Sequence, residues 1–362
     1  MSDPTDFSLT PFARRVADAF REWAPGPVPL VAADVDADGL SSAALLLRLW
    51  ERLEGERPEH RLVGRGDNAW TDAFASEIAR RAPARLVVAD LGTAGRRVTE
   101  APTAVIDHHV PTGTPEGALV LSGASETPVP TTSLIAHECV RGALGDAAAE
   151  EWEWLAAVGL LGDLGDKAPF DLLARAKKRY GAGKLRELVS LVNAPRRASD
   201  PNPEPPLRLL MQVASPREAV DGDSEERRFC QSARDEVKAA TAHARKQPPR
   251  FGSVYGPTIA FVRLDSPCQV HPLIAQTWVG RLKADAVFAA NFGFQPDQVN
   301  FSGRARSGFD LIEWLAKHRP EGADPTRYGN GHRKAAGGAL SFEAWDRFME
   351  GLGFGEEMRA GG

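Results

Sequence analysis

Three short apolar runs in the first half of the chain each lead directly into an aspartate. The runs and their aspartates are residues 28–33 before Asp34, residues 86–89 before Asp90, and residues 103–106 before Asp107. The first run is followed by helical spacing over residues 43–53. Short, fully apolar strands that alternate with helices are typical of a parallel sheet buried on both faces. Because ligands bind at the carboxyl ends of such strands, we expect the three aspartates to meet at one functional edge.

The first of these aspartates opens a D-x-D-x-D-G motif formed by Asp34, Asp36, Asp38 and Gly39. An EF-hand calcium loop begins in the same way but needs a glutamate at its twelfth position, where this chain has Leu45. The structural alternative is a solvated acidic turn. Three carboxylates so close together repel one another unless a cation joins them, which favours a cation site.

Two further groups of candidate ligands follow along the chain. His108 and His109 come directly after Asp107, and Asp163 ends the sequence GLLGD after an apolar run. Taken singly, such residues are more typical of caps and surfaces. Beside the other carboxylates they form a mixed oxygen and imidazole set, which suits Mn²⁺ or a related divalent ion. Carboxylates that converge in this way can hold two ions about 3.5–4 Å apart, as in two-metal phosphoesterases and nucleases.

A proline-rich segment, residues 195–206, separates the two halves of the sequence. We predict that it lacks regular structure and marks a domain boundary. Residues 215–246 are polar and charged, and we interpret them as one helix between two domains. The second α/β pattern has predicted strands over 258–264 and 286–292, and predicted helices over 271–283 and 309–317. The predicted domains are therefore residues 1–195 and 251–362, with residues 196–250 as linker and connecting helix.

The last sequence signal is a glycine-rich segment, GNGHRKAAGG, over residues 329–338. We predict a loop whose glycines allow a ligand to approach the backbone and whose N–H groups bind an anion. Nearby arginines can bind phosphate in bidentate fashion. A tight turn with solvated basic neighbours is the structural alternative. The candidate substrate-binding residues are Arg304, Arg306, Gly329, Gly331, His332, Arg333, Gly337 and Gly338.

Composition narrows the class of protein. The net charge of −5 argues against general coating of duplex DNA, which needs a broad basic surface. Three scattered cysteines are too few for a disulfide framework or a four-cysteine zinc site. The N-terminal residues lack the pattern of a signal peptide, and no apolar run reaches the ~20 residues of a membrane helix. We therefore expect a soluble, cytoplasmic protein with no membrane partner.

Taken in order, these motifs resemble the DHH/DHHA1 phosphoesterase superfamily, which includes RecJ-type exonucleases, nanoRNases and cyclic-dinucleotide phosphodiesterases. The resemblance runs from about Val31 to Leu340 and covers most of the chain. It implies a parallel-sheet DHH domain and a smaller α/β DHHA1 domain with a cleft between them. It also implies catalytic roles for Asp107, His108 and His109, and metal ligation by Asp36, Asp38, Asp90, His108 and Asp163, with Asp90 bridging. Asp34 either binds a metal or braces the loop.

The function implied is a two-metal, Mn²⁺-dependent phosphodiesterase that hydrolyses single-stranded nucleic acid or short oligonucleotides to mononucleotides, with Mg²⁺ as a substitute ion. A cyclic di-AMP phosphodiesterase and a 3′-phosphoadenosine 5′-phosphate phosphatase are alternatives. A scaffold that has lost activity is disfavoured because every expected carboxylate and His108 are present. RNA and DNA, either polarity and any oligomeric state are compatible with these residues.

Overall fold

The computed structural model describes residues 4–64, 67–325 and 327–360. The chain divides into two compact units. Unit 1 contains the residues up to Arg196 together with Asn202–Ser232, and unit 2 contains Arg197–Pro201 together with the residues from Ala233 onward. The predicted linker, residues 196–250, is thus shared between the two units instead of lying outside both.

Unit 1 is built on a five-stranded sheet in which every pair of neighbouring strands is parallel. Its strands are β1 (Leu30–Asp34), β2 (His60–Val63), β3 (Leu86–Ala89), β4 (Thr103–Asp107) and β5 (Leu119–Ser122). The order across the sheet is β2-β1-β3-β4-β5, so the three predicted strands lie side by side in the centre. The two outer strands, β2 and β5, were not predicted, because each is only partly buried, whereas the equally short β3 is buried throughout.

Helices cover both faces of this sheet. They are α1 (Pro11–Trp23), α2 (Ala37–Glu54), α3 (Asp72–Arg81), α4 (Thr132–Leu144), α5 (Asp146–Asp163), α6 (Asp171–Ala176), α7 (Ala182–Asn193), α8 (Glu204–Gln212), α9 (Pro216–Asp221) and the first part of α10 (Glu225–Ala244). On one face Val31 and Val87 join a large core with α1, α2, α4 and α5. On the other, Ala32 and Val88 pack with Phe74 of α3. The prediction of a parallel sheet buried on both faces is confirmed.

Two predictions about the middle of the chain are wrong. Helix α8 begins at Glu204, inside the segment expected to lack regular structure, and Pro205 and Pro206 belong to its first turn. Proline is tolerated there because the first backbone N–H groups of a helix have no partner within the helix. The single helix predicted over 215–246 is two helices, α9 and α10, and α9 ends at Gly222.

Unit 2 contains a six-stranded mixed sheet with the order β10-β11-β9-β8-β7-β6. Its strands are β6 (Arg250–Phe251), β7 (Ile259–Leu264), β8 (Ala286–Gln295), β9 (Gln298–Ala305), β10 (Tyr328–His332) and β11 (Ala335–Ser341). Its further helices are α11 (His271–Arg281), α12 (Leu311–Lys317) and α13 (Phe342–Gly351). Aromatic side chains of β7, β8 and β9 form its core with Trp314 of α12 and Trp345 of α13.

The glycine-rich segment is a β-hairpin and not the predicted loop. Strands β10 and β11 pair in antiparallel fashion, and only residues 333–334 form the turn. A Cβ atom on Gly337 would lie 2.3 Å from the carbonyl oxygen of Phe301, and one on Gly338 would lie 2.5 Å from that of Arg327. These glycines are therefore required by the close approach of neighbouring backbones. Sequence reasoning attributed the same freedom to a ligand.

None of the helices in the described part of the chain has the length and apolar character needed to cross a membrane.

Candidate metal centre

The sheet of unit 1 brings three of the predicted aspartates to one edge. Ala33 of β1 pairs with Ala89 of β3, which in turn pairs with Ile106 of β4. The next residue on each of these adjacent parallel strands is Asp34, Asp90 or Asp107, so the three aspartates are level with one another. The carboxyl-terminal edge predicted from the apolar runs is present.

The D-x-D-x-D-G motif connects β1 to the start of α2. Asp36 is the N-cap of that helix, and its Oδ1 accepts hydrogen bonds from the backbone N–H groups of Asp38 (2.9 Å) and Gly39 (3.1 Å). A Cβ atom on Gly39 would lie only 2.4 Å from the carbonyl oxygen of Asp34. The glycine therefore lets the helix begin directly against the strand end, which places Asp34, Asp36 and Asp38 around one point.

The carboxylate of Asp38 is fully buried against the N-terminus of α4. Its Oδ2 accepts a hydrogen bond from the backbone N–H of Thr132 (2.8 Å), and its Oδ1 accepts one from that of Ser133 (3.0 Å). The Thr132 hydroxyl donates to Oδ1 of Asp90 (2.8 Å). A helix N-terminus favours an anion at this position. Sequence reasoning missed these two residues, although a Thr-Thr-Ser run before an apolar stretch is a helix-start signal.

Asp90 has a left-handed backbone, with φ of 62°. Residues other than glycine rarely adopt this conformation, and it is found disproportionately at functional sites. The backbone N–H of Asp90 donates to the carbonyl of Ile106 (3.0 Å). Trp70 Nε1 donates to the carbonyl of Leu91 (2.9 Å), which fixes the turn that follows. The structure thus holds Asp90 in a strained orientation from both sides.

His108 lies in the middle of the carboxylates. Its Nε2 is 3.3 Å from Asp163 Oδ2, 3.5 Å from Asp90 Oδ1 and 4.0 Å from Asp38 Oδ2. Among the described residues this buried nitrogen has no hydrogen-bond partner of acceptable geometry. A buried polar atom without a partner is costly, so its position indicates a ligand that protein atoms alone do not supply.

Asp107 and His109 form a pair beside this cluster. Oδ1 of the buried Asp107 lies 2.9 Å from His109 Nδ1, and its Oδ2 accepts a hydrogen bond from the Thr93 hydroxyl (3.0 Å). The hydrogen bond to Asp107 raises the pKa of His109 above its ordinary value. The His109 side chain is 43% exposed, so its ring is accessible from solvent. This arrangement suits orientation and proton transfer better than metal ligation.

Within the described part of the chain, three overlapping groups of side chains can each surround an ion. They are Asp38, His108 and Asp163; Asp34, Asp36 and Asp90; and Asp90, His108 and His109. Five carboxylates with one neutral imidazole are the donor set that Mn²⁺ and related divalent ions accept. The donor set and the unpartnered His108 Nε2 both fit a divalent ion, and Asp90 belongs to two of the groups.

The electrostatics of the cluster also call for a cation. Burial raises the pKa of Asp34 to about 6 and that of Asp163 to about 8. Burial, followed by repulsion from Asp38, raises the pKa of Asp90 well above its ordinary range. Arg196 Nη2 lies 3.6 Å from Asp36 Oδ2 and is a neighbouring positive charge that sequence reasoning did not single out. The remaining repulsion is relieved either by protons or by divalent ions.

Solved structures with the same architecture have been determined. A manganese-bound structure of the exonuclease RecJ matches with a TM-score of 0.66 and 21% identity, covering 94% of this chain and 93% of that one. The DHH domain of a protein assigned to a family of ribosomal proteins matches with a TM-score of 0.66 and 15% identity, covering 97% of this chain and 94% of that one. The chain has the DHH fold. The expected fold class is confirmed.

RecJ from Thermus thermophilus, in complex with Mn²⁺, matches with a TM-score of 0.71 and 21% identity. The alignment covers 95% of this chain but 54% of that one, so this chain spans about half the length of the Thermus RecJ. The same Thermus protein has also been solved in complex with Mg²⁺. No protein-family model matches the sequence, and no curated protein matches it.

In unit 2, two of the predicted substrate-binding residues lie on one face of the sheet. Ala335 of β11 pairs with His332 of β10 on one side and with Arg304 of β9 on the other. Directly paired residues on antiparallel strands project to the same face of the sheet, and neighbouring strands lie about 5 Å apart. Arg304 Nη1 donates to Ser302 Oγ (3.0 Å) and to the carbonyl of Gly303 (2.9 Å). His332 is exposed.

The other predicted basic residues of unit 2 have protein partners. Arg306 donates to the carbonyl of Leu282. The exposed Arg333 pairs with Asp310 through Nε and Oδ2 at 2.5 Å, and this contact lowers the pKa of Asp310. A substrate-binding role for Arg306, Arg333 and the four glycines stays a prediction.

The raised pKa values of Asp34 and Asp163 predict how divalent ions affect stability. A carboxyl whose pKa is higher in the folded state stabilises the fold at low pH and loses that contribution as the pH rises through the folded value. Without divalent ions, the contributions of Asp34 and Asp163 should therefore be lost between about pH 4 and pH 8. Bound ions replace the protons, so Mn²⁺ should raise the melting temperature more at pH 8 than at pH 6.

Thermal melts in EDTA and in Mn²⁺ across this pH range measure the effect. At a free Mn²⁺ concentration 100 times the Kd of one site, ion binding adds about 2.7 kcal/mol to the free energy of unfolding. In Asp163→Asn, the part of the pH dependence near pH 8 should be absent. An ion-induced shift of equal size at pH 6 and pH 8 would contradict the assignment of these carboxylates as ligands.

Proposed function

We propose that this chain is a phosphodiesterase that depends on divalent ions and releases mononucleotides from one end of short single-stranded nucleic acids. One observation carries the proposal. At the edge of the sheet, the carboxylates of Asp38, Asp90 and Asp163 lie around His108 Nε2, a buried nitrogen with no hydrogen-bond partner among the described residues. The DHH fold supports it, because the RecJ structures with that fold are described as an exonuclease bound to manganese and as complexes with Mn²⁺ or Mg²⁺.

The proposed metal ligands are the side chains of Asp34, Asp36, Asp38, Asp90, His108 and Asp163. Bound divalent ions supply Lewis acidity, which activates water and stabilises negative charge on a phosphate. The protein contributes a fixed frame for that chemistry. Asp38 is held by two backbone N–H groups and Asp90 by the Thr132 hydroxyl, so neither carboxylate has to reorganise during the reaction.

His109 is proposed to handle the proton and the phosphate. Its Nδ1 is bound to Asp107, which stabilises the imidazolium and leaves Nε2 as a donor toward solvent. An imidazolium in that position can donate a hydrogen bond to a phosphate oxygen and a proton to the departing oxygen. Asp107 therefore acts through His109 in this proposal, as an orienting group.

The charge distribution favours a short, single-stranded substrate. The net charge of −5 offers no broad basic track for a long polymer. In unit 2, Arg304 of β9 and the exposed hairpin residues His332, Arg333 and Lys334 offer hydrogen-bond donors for phosphate. We propose that these residues bind phosphates of the substrate that do not react. A blunt duplex carries both backbones and has to fray before its scissile phosphate reaches buried carboxylates.

A substrate panel with Mn²⁺ tests the proposal. It contains end-labelled RNA and DNA from dinucleotides to about 50-mers, matched blunt duplexes and cyclic di-AMP, a range that spans known single-strand site sizes. We expect stepwise release of mononucleotides from single strands, efficient turnover of short oligomers and little attack on duplex. Internal cleavage, or duplex degraded as fast as single strands, would contradict end-specific binding. Faster hydrolysis of cyclic di-AMP than of any linear oligomer would identify a cyclic-dinucleotide phosphodiesterase instead.

Substituting His332 should affect substrate binding more than chemistry. His332→Ala removes a side chain that lies level with Arg304 on the sheet of unit 2. Neither residue belongs to the carboxylate cluster of unit 1. We expect KM for oligonucleotides to rise about tenfold, the effect of losing one hydrogen bond, with a smaller change in kcat. His243→Ala, at an exposed position on α10, is the matched control. Unchanged kinetics on every substrate of the panel would remove His332 from the binding surface.

A further inference from the structure

One residue outside the predicted ligand set contacts two of the proposed ligands at once. The backbone N–H of Thr132 donates to Asp38 Oδ2 at 2.8 Å, and its hydroxyl donates to Asp90 Oδ1 at 2.8 Å. Thr132 is fully buried at the first position of α4, which Thr131 caps by accepting from the N–H of Leu134. Its position is therefore fixed by the helix and not by the two carboxylates.

The two carboxylates belong to different ion-binding groups. Asp38 lies with His108 and Asp163, whereas Asp90 lies with Asp34 and Asp36 and also with His108 and His109. Thr132 connects these groups by two hydrogen bonds from a single residue. In a site for two ions, the groups that orient the ligands also set how the two ion positions relate to each other.

Asp90 has particular need of such a contact. Its backbone is in the left-handed region, with φ of 62°, and its carboxylate is buried among other carboxylates. The Thr132 hydroxyl donates to the oxygen, Oδ1, that lies 3.5 Å from His108 Nε2. A donor at this oxygen lowers the energy of the ionised carboxylate and selects one rotamer.

We infer that Thr132 is a positioning residue that couples the two ion sites by fixing Asp90 relative to Asp38. Its main-chain N–H holds the first carboxylate whatever the side chain, and its hydroxyl holds the second. Loss of the hydroxyl should therefore selectively weaken the binding of the ion held by Asp34, Asp36 and Asp90. The inference rests on the proposed function only in requiring that the centre binds two divalent ions, since it involves no substrate.

Titration calorimetry and electron paramagnetic resonance on the full chain with Mn²⁺ alone test this inference. We expect the wild-type chain to bind two ions and to give the signal of an exchange-coupled pair. Thr132→Val keeps the size and shape of the side chain and the main-chain N–H but lacks the hydroxyl. It should bind one ion with unchanged affinity and the other about 10- to 100-fold more weakly, the usual effect of losing a partner of a ligand. At two equivalents of Mn²⁺ the coupled signal should give way to that of isolated ions.

Two further variants make the result specific. Thr132→Ser retains the hydroxyl and should restore both the second affinity and the coupled signal. Thr103→Val removes a hydroxyl that donates to the carbonyl of Ala101 elsewhere in unit 1, and it should leave ion binding unchanged. If circular dichroism shows that Thr132→Val does not fold, Thr132→Ala replaces it with the same expectation.

Three results would overturn the inference. They are unchanged binding of both ions in the hydroxyl-free variant, equal weakening of both ions, and failure of Thr132→Ser to restore the second ion. A wild-type chain that binds two ions as expected but hydrolyses nothing in the substrate panel would defeat the proposed function and leave the role of Thr132 intact.

Discussion

Asp90→Asn is expected to reduce hydrolysis at least about a thousandfold while leaving the fold intact. Asparagine tolerates the left-handed backbone of residue 90 and can still accept the hydrogen bond from Thr132. What it loses is the negative charge shared by two of the three ion-binding groups. Charge stabilisation by bound ions is worth several kcal/mol in the transition state, and each 1.36 kcal/mol changes the rate tenfold.

The same variant should be no less stable than the wild type in EDTA. Burial and repulsion from Asp38 disfavour the ionised Asp90, so a neutral amide relieves strain in the absence of ions. It should gain little melting temperature from Mn²⁺. Asp166→Asn is the matched control, because this exposed carboxylate pairs with Lys177 and Arg186 outside the cluster. Hydrolysis by Asp90→Asn within tenfold of the wild-type rate would show that the centre does not perform the chemistry.

Gly159→Ala is expected to damage both the centre and the stability of unit 1. A Cβ atom at residue 159 of α5 would lie 2.4 Å from Asp38 Oδ1 and 2.0 Å from Ser133 Oγ. Asp38 Oδ1 cannot retreat without losing its hydrogen bond from the Ser133 N–H, and Ser133 Oγ would lose its contacts with Thr131 Oγ1 and the Ala156 carbonyl. Overpacking of this kind costs about 1–3 kcal/mol, and a displacement of about 1 Å in a catalytic group can reduce the rate about a hundredfold.

Gly183→Ala provides the opposite control. Residue 183 lies in the first turn of α7, and a Cβ atom there would meet open space. Alanine should stabilise that helix by about 0.5–1 kcal/mol and leave hydrolysis unchanged. Denaturant unfolding and steady-state kinetics of the two variants measure both effects. Equal stability of the two variants would contradict the packing of α5 against Asp38.

The aspartate edge of unit 1 was accessible to sequence reasoning because its signal is local. Each apolar run is followed directly by an aspartate, and adjacent parallel strands bring their carboxyl ends together. Asp34, Asp90 and Asp107 were therefore placed at one edge correctly with no long-range information. The structure also places His108 Nε2 3.3 Å from Asp163 Oδ2, two residues that the family resemblance had grouped together.

The support around that edge was not accessible, because it joins distant segments. Thr132 is 94 residues from Asp38, and the clash that requires glycine at position 159 involves side chains of α2 and α4. The sequence around a threonine at a helix start does not indicate which distant carboxylate its hydroxyl will contact.

The prediction of a ligand-binding loop over residues 329–338 was wrong for a different reason. Glycine gives the same sequence signal whether a ligand or a neighbouring strand approaches the backbone. Here the neighbours are strands, as the clash between a Cβ on Gly337 and the Phe301 carbonyl shows. The prediction that residues 195–206 lack regular structure was wrong for a similar reason, because proline is common both where a helix is interrupted and in its first turn.

Anomalous diffraction from crystals of the full chain soaked in Mn²⁺ tests the central claim most directly. We expect two anomalous peaks in unit 1, about 3.5–4 Å apart, one among Asp38, His108 and Asp163 and the other among Asp34, Asp36 and Asp90. In Asp90→Asn at least one peak should be lost. Peaks elsewhere, or none at this cluster at saturating Mn²⁺, would contradict the assignment of these side chains as a two-ion centre.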